Sequence, residues 1–371
     1  MSYTWQTYTT EPPYDKKYGT LHDTTTLPPL RTLWAYFVRL RIYIMVHSQF
    51  IPDPLCNVPI DPELKCGEEW TAVHECGDDY FSPITFHITL PTMQDNVRLN
   101  FNCRDKSSGV LLPSEPEALS KADDADNDNM SDPFFFEKGF YLEAKTGFQP
   151  WPGTRLMIEA FTCMKSERMV YWQTRLASND LTILEIGAGV GIVGACLAAV
   201  GGKVLVTDLP VLVEHSIRPN LKRNEHRVKE DDARGKHLDF FLESHEYSRI
   251  EDGWAQAVVL DWFRPMSEQL PHKTSSAIDV IVACDCMWMR KLIDPLFSVI
   301  TTLFQQSLKE TSFLFTYQRR NMMGVFIGME ELLERIEQRG WGVECIAWRT
   351  IAVEGDGEQD LHLFEITPKN S

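Results

Sequence analysis

Leu184-Glu185-Ile186-Gly187-Ala188-Gly189-Val190-Gly191-Ile192-Val193-Gly194 is the stretch that decides the fold. An apolar run leads into three alternating glycines, and small apolar residues follow. Glycine takes positive φ without steric cost and lets the backbone lie against a ligand. A helix beginning there offers free N–H groups at its amino end. The segment therefore predicts a buried strand, a ligand-binding loop and a helix. Seventeen positions beyond Gly191 a second apolar run ends in Val206-Thr207-Asp208. A carboxylate at that point can accept both hydroxyls of a ribose.

Outward from this unit, strands and helices alternate. Leu156 to Leu176 is helix-like, and strands are predicted at Leu181–Ile186, Lys203–Thr207, Ala257–Leu260, Ile278–Cys284, Ser312–Tyr317, Val343–Trp348 and Leu361–Ile366. Between the fourth and fifth strands Leu292, Leu296, Val299, Ile300, Leu303 and Phe304 share one helical face. Phe326, Met329, Leu333 and Ile336 do so between the fifth and sixth, with Gly340 placed to end that helix. Buried strands separated by helices mean a mostly parallel sheet covered on both faces, an α/β Rossmann-like arrangement. The last two strands have only a short polar connection and should be antiparallel neighbours.

The amino-terminal part reads differently. Ile84–Leu90 and Val97–Cys103 alternate apolar and polar residues around Gln94-Asp95-Asn96, which predicts an antiparallel hairpin at 84–103 with one buried face. Residues 107–132 are rich in Pro, Ser, Ala and Asp and have too little apolar content to offset ordering entropy, so they read as an acidic linker. The expected division is an extension at 1–145, β-rich around the hairpin, and a catalytic domain at 146–371. The expanse between Asn220 and Ala255 has no assigned role.

Composition narrows the function. The chain has 371 residues, a net charge of −17 and a pI near 5.0. Such an acid surplus disfavours bulk nucleic-acid binding. Nine scattered cysteines form no disulfide framework, no apolar leader opens the chain, and no run is long enough to span a bilayer. A monomer in the cytoplasm, with the nucleus as the alternative, is the expectation. The Cys284-x-Cys286 pair lacks the further ligands a metal site requires, and no metal is expected.

Two cofactor classes use a glycine loop followed by an acidic strand end. Gly189-Val-Gly191-Ile-Val-Gly194 satisfies the dinucleotide pattern, but its first glycine lies three residues beyond Ile186. Glu185-x-Gly187-x-Gly189-x-Gly191 fits the strand junction directly. An acidic residue there repels a pyrophosphate and suits the cationic methionine part of S-adenosylmethionine. Methyl transfer is therefore favoured over hydride transfer. The plain alternative is glycines serving only tight strand–helix packing.

Four further segments stand at strand ends in the order a methyltransferase requires: Thr146-Gly-Phe-Gln-Pro-Trp151-Pro152, Leu260-Asp261-Trp262, Ala283-Cys284-Asp285-Cys286-Met287-Trp288 and Thr316-Tyr-Gln-Arg-Arg320. With the glycine loop they resemble the class I, seven-β-strand methyltransferases, and more narrowly the family 16 methyltransferase-like protein-lysine methyltransferases. The resemblance covers roughly Thr146 to Thr367. It implies a seven-stranded sheet with an antiparallel last strand and S-adenosylmethionine as cofactor. It places Trp151, Glu185, Gly187, Gly189, Gly191, Asp208, Asp261, Trp262 and Cys284 at that cofactor, and Asp285 and Trp288 at the catalytic position. Trp288 departs from the family, which has Tyr or Phe there. The implied substrate is a lysine on a protein such as a translation factor or chaperone, with the extension helping to select it.

Methyl transfer from a sulfonium needs alignment more than acid–base chemistry, and a lysine amine must arrive neutral. Asp285 is expected to orient the amine and Trp288 to form a wall offering cation–π attraction. Plain packing is the alternative for Trp288, and a cap on the helix after the fourth strand is the alternative for Asp285. Arg319 and Arg320 read equally as surface charges or substrate contacts. The competing functions are transfer to another nitrogen (protein histidine or a small amine), a catalytically silent module that binds cofactor and protein, and an NAD-dependent oxidoreductase.

Overall fold

The computed structural model describes residues 71–74, 83–91, 96–104, 147–148, 150, 151–164, 166–226, 240–242, 246–318, 326–353 and 357–368. The linker expected at 107–132, the segment before residue 71 and the pair Arg319–Arg320 lie outside them. No helix among the described residues is long and apolar enough to cross a membrane.

The amino-terminal strands β1 (Thr71–His74), β2 (Pro83–Pro91) and β3 (Asn96–Arg104) form a three-stranded antiparallel sheet in that order. β2 and β3 pair from Pro83↔Arg104 to Pro91↔Asn96, the hairpin register that the alternation predicts. Ile88, Leu90, Leu99, Phe101 and Cys103 are buried. They join the same apolar cluster as the helices on one face of the main sheet.

Helices α1 (Pro152–Thr162) and α2 (Glu167–Ala177) occupy the stretch read as one helix. The break follows from capping: Ser166 is extended, and its hydroxyl accepts from the Met169 N–H at 3.3 Å. The remaining elements are β4 (Thr182–Ile186), α3 (Ile192–Ala199), β5 (Lys203–Asp208), β6 (Tyr247–Ile250), β7 (Gly253–Val259), β8 (Val280–Ala283), α5 (Arg290–Gln306), β9 (Ser312–Gln318), α6 (Met329–Gln338), β10 (Trp341–Val353) and β11 (Gly357–Pro368). Between β5 and β6, α-helical Pro210–Leu212, a π-helical turn at Val213–Ile217 and α-helical Arg218–Arg223 run on without a break, and together they are α4.

The main sheet has the order β10-β11-β9-β8-β4-β5-β7-β6. Pairing is parallel from β9 through β8, β4 and β5 to β7, and antiparallel at β11–β9, β10–β11 and β6–β7. The seven expected strands are present, with the predicted antiparallel β10–β11 pair. An eighth, β6, is added at the edge beyond β7. It folds back through a two-residue turn in which Glu251 takes φ +49°. This strand accounts for 247–250 of the expanse between Asn220 and Ala255 that had no assigned role.

Small residues let α3 lie close to the sheet. A Cβ on Gly194 would stand 2.5 Å from Val206 Cγ2, and one on Gly253 would meet the Gly202 and Ala198 carbonyl oxygens at 2.3 and 2.4 Å. The opposite face is covered by α5 and α6, through Leu296, Phe297, Ile300 and Ile336 among others. Gly340 ends α6 at φ +73°, the left-handed turn expected of it.

At the amino end of β8, away from the glycine loop, Asp279 is buried and gathers four donors. The Thr182 N–H lies at 3.0 Å, the Thr182 hydroxyl at 2.5 Å, and Arg175 Nη2 and Lys309 Nζ each at 3.0 Å. Burial raises its pKa, but the hydrogen bonds from Thr182, Lys309 and Arg175 outweigh that and hold it below the usual value. Its contribution is therefore present above the unfolded carboxylate pKa and lost as pH falls through the lowered one. Asp279→Asn should cost about 2 kcal/mol of stability at neutral pH. Chemical denaturation checks this, and an unchanged midpoint would contradict it.

Candidate active site

One cleft opens at the carboxyl ends of β4, β5, β7 and β8, where open α/β sheets bind ligands. Its lining includes ten of the eleven residues singled out from sequence: Trp151, Glu185, Gly187, Gly189, Asp208, Asp261, Trp262, Cys284, Asp285 and Trp288. Gly191 is the exception. It is the N-cap of α3 at φ +77°, where a Cβ would meet Ile217 and Val206. The reason is geometric, since the loop has turned into the helix by that residue. Its chain neighbours Val190 and Ile192 both line the cleft.

The cleft is organised by carboxylates that reach from strand ends to the amino ends of helices. Neither α1 nor α3 has a capping side chain of its own, because their N-caps are Trp151 and Gly191. Glu185, at the end of β4, accepts from the Gly194 N–H in the first turn of α3 at 2.8 Å. Asp285, just beyond β8, accepts from the Gly153 N–H in the first turn of α1 at 2.7 Å. Asp208, at the end of β5, accepts from Gly189 at 2.8 Å and from Leu209 at 2.7 Å. Such bonds satisfy orphan helix donors and place negative charge at the positive end of a helix.

Glycines make these approaches possible. A Cβ on Gly153 would sit 2.0 Å from Thr316 Oγ1 and 2.4 Å from Asp285 Oδ2. One on Gly187 would meet Cys286 Sγ at 2.5 Å and Trp262 Cζ2 at 3.2 Å, and one on Gly189 would meet the Gly147 oxygen at 2.7 Å. Gly187 and Gly189 also stand at positive φ, +65° and +58°. Bare backbone therefore floors the cleft beneath Trp262.

Asp285 itself takes φ +54°, a left-handed conformation unusual for a residue with a Cβ. Its N–H donates to Thr316 Oγ1 at 3.0 Å. Helix α5 begins later, with Met289 as its N-cap, so Asp285 caps α1 and not α5. Trp288 is 9% exposed and packs against Phe326 with ring centroids 5.7 Å apart. Together with Met289, Leu292 and Trp262 they make a small apolar wall separate from the two main clusters. The wall is tied from behind by the Ile327 N–H, which donates to the Trp288 oxygen at 2.9 Å.

Sequence reasoning missed Thr316 and Gly153, which hold Asp285, and Gln269. The Gln269 side chain receives the Asp261 N–H at 2.7 Å and donates to the Asp261 oxygen at 2.9 Å. The first two pairings join residues that the sheet brings together, 31 and 132 apart in the chain, and the third joins residues eight apart beyond β7. Gln318 Nε2, at the end of β9, donates to Gln359 Oε1 at 2.8 Å.

The electrostatics are one-sided. Glu185, Asp208, Asp261 and Asp285 line the cleft, and none of its described lining residues is Lys, Arg or His. Burial pushes Glu185 up to about 8 against the downward pull of the Gly194 bond, with the nearby Asp208 charge adding to the rise. Asp208 is raised to about 6 by burial, opposed by the Gly189 and Leu209 bonds. Burial also drives the Cys284 and Cys286 thiols well up, so both remain protonated thiols. No group of three or more potential metal ligands exists among the described residues.

S-adenosylmethionine fits this donor set. Its adenosine and amino-acid parts require a bare backbone floor with acceptor carboxylates, which Gly187, Gly189 and Asp208 provide. Its sulfonium is a cation, and the cleft holds carboxylates whose charge the protein alone leaves under-compensated. A pyrophosphate would meet four carboxylates and no cationic lining residue.

Among solved structures, the chain is similar to a transferase of Pyrococcus horikoshii, at 16% identity over 56% of this chain and 66% of that one, with a TM-score of 0.31. This is just under two thirds of that protein's length. It is also similar to magnesium protoporphyrin IX methyltransferase of Synechocystis PCC 6803 with bound SAH, at 9% identity over 61% and 93%, TM-score 0.34. A third likeness is to a TehB-like SAM-dependent methyltransferase of Corynebacterium glutamicum, at 16% identity over 53% and 95%, TM-score 0.30. A family model described as lysine methyltransferase matches residues 143–252 and 246–331, together just over half of the sequence. On that match the chain belongs to the lysine methyltransferase family.

Proposed function

We propose that the protein transfers a methyl group from S-adenosylmethionine to the side-chain amine of a lysine on another protein. The observation that carries the cofactor half is the cleft with four carboxylates and no cationic residue among its described lining. The acceptor half is supported by the family and by the apolar wall beside Asp285.

When bound, S-adenosylmethionine supplies an electrophilic methyl carbon on a sulfonium sulfur. Glu185, Asp208, Asp261, Trp151, Trp262, Cys284 and the Gly187–Gly189 backbone are the residues that would hold it. Glu185 keeps its capping bond to Gly194 and offers its remaining acceptor capacity to a cation. Asp285 orients the incoming amine through a carboxylate fixed by Gly153, while Trp288 and Leu292 exclude water from it. A desolvated amine loses its proton more readily, which is the form that can act as a nucleophile. The Trp288 face attracts an ammonium or a methylated ammonium by cation–π contact.

Asp285→Asn separates charge from architecture. Asparagine accepts the Gly153 bond and tolerates φ +54°. Turnover should fall at least about 100-fold while cofactor affinity changes little. Tritiated-methyl labelling of cell extracts, with lysine identified in the labelled protein, is the assay, alongside calorimetric titration. Wild-type binding of NAD, or label on histidine, would overturn the corresponding half of the proposal. Asp208→Ala should weaken cofactor binding at least about tenfold.

Glu185 sets the pH dependence. A carboxyl raised to about 8 in the folded protein keeps a proton that the unfolded chain has already lost above about 4.5. Unfolding then releases a proton, so stability falls as pH rises toward 8. Asp208 adds the same sign only up to about 6. Between about pH 6.5 and 8 the ligand-free protein should lose about 1–2 kcal/mol, a loss that Glu185→Gln abolishes while keeping the Gly194 acceptor. Thermal melts across that window read the slope directly.

A further inference from the structure

β3 is the outer strand of the amino-terminal sheet, and its free edge faces α4. Asn220 on that helix and Asn224, its C-cap, are both buried and lie four residues apart, on one face. The Asn100 N–H donates to Asn224 Oδ1 at 2.8 Å, and Asn224 Nδ2 donates back to the Asn100 oxygen at 2.8 Å. One step along the strand edge, the Asn102 N–H donates to Asn220 Oδ1 at 2.8 Å, and Asn220 Nδ2 returns a bond to the Asn102 oxygen at 3.0 Å. Four helical residues rise about 6 Å and two strand residues span about 6.7 Å, so the two repeats match.

Asn220 does one thing more. The second hydrogen of its amide reaches the Val190 carbonyl at 2.9 Å, inside the glycine loop. That amide has two donors and one acceptor in use, two on β3 and one on the loop. Beside it, Ile217 lies against the face of Gly191. The loop is thus tied to the amino-terminal sheet through a single planar group, held in register by Asn224.

We propose that the amino-terminal sheet is a brace for the cofactor loop, with Asn220 as the positioning residue that transmits it. The proposal rests on reading the cleft as the S-adenosylmethionine site, and it gives the extension a role in cofactor binding beyond the selection of substrate. The loop must hold Gly187 and Gly189 at positive φ while its amides stay available, and a fixed Val190 carbonyl limits its alternatives.

The test uses the full chain. Asn220→Asp is isosteric but replaces two donors by oxygen facing two carbonyls, whereas Asn224→Asp disturbs the same strand edge without touching Val190. Both should lower the melting temperature. Only Asn220→Asp should speed amide hydrogen exchange across residues 187–194, by about tenfold, and raise the S-adenosylmethionine dissociation constant and KM by a similar factor with kcat at saturation kept. A second route comes from the sheet itself. Asn102→Pro removes the N–H that donates to Asn220 and leaves Asn220 itself unchanged, and it should speed exchange in the same loop. A lowered melting temperature with wild-type loop exchange in both variants would overturn the brace. If the wild-type chain fails to bind S-adenosylmethionine, the functional reading falls, and the exchange measurement still decides the brace.

Discussion

The cleft depends on carboxylates that cap helices to which they do not belong. Helices α1 and α3 begin at residues with no capping side chain, yet in each first turn one N–H donates to a carboxylate from a neighbouring strand end. A serine or aspartate at the N-cap would have satisfied the same donors locally, but it would have pointed its oxygen into its own helix. Caps borrowed from β4 and β8 join strand, loop and helix around one cavity, and each leaves part of a carboxylate facing that cavity. The glycines follow from this choice. Gly153 and Gly194 are small because a capping oxygen stands where a Cβ would be.

This arrangement has an energetic cost in the empty protein. Glu185 and Asp208 are both pushed up by burial, and backbone bonds offset that only in part. Asp285 sits at positive φ, a strain of order 1 kcal/mol that Thr316 and Gly153 hold in place. Buried acid without a cationic neighbour is poor design for stability alone. It becomes useful when the ligand carries the missing positive charge, because binding then relieves a penalty already present.

The sequence exposed much of this, unevenly. The glycine loop, Asp208 and the alternating strands were legible because each depends on residues adjacent in the chain, where periodicity and turn chemistry operate. The hairpin register followed from alternation for the same reason. What escaped was pairing across the sheet. Thr316 lies 31 residues from Asp285, Gly153 lies 132 away, and the Asn220–Asn102 bonds span 118. No local pattern marks an asparagine whose partner is the backbone of a distant strand edge. β6 escaped for another reason. It is four residues long, and its burial is mostly partial, so no apolar run announces it. Gly191 was read from its spacing in the loop, and its φ makes it also the start of α3.

Trp288 shows where residue type and placement carry different information. Its position after Asp285 put it in the cleft wall, and there it stands, yet its ring packs on Phe326 and its main-chain oxygen accepts from the Ile327 N–H. Tyr317, at the end of β9, holds the same Ile327 through its hydroxyl, at 2.9 Å to the carbonyl. The indole is therefore framed on the side away from the cleft by two elements that the motif does not contain. A larger ring in place of a phenyl or phenol requires either a recessed wall or a narrower opening. The Phe326 contact and the shared cluster with Leu292 keep the ring nine-tenths buried, which is the geometry of a recessed wall. The indole then offers the acceptor shape and π-density, without a hydroxyl. On this geometry, positioning the amine by hydrogen bond falls to Asp285.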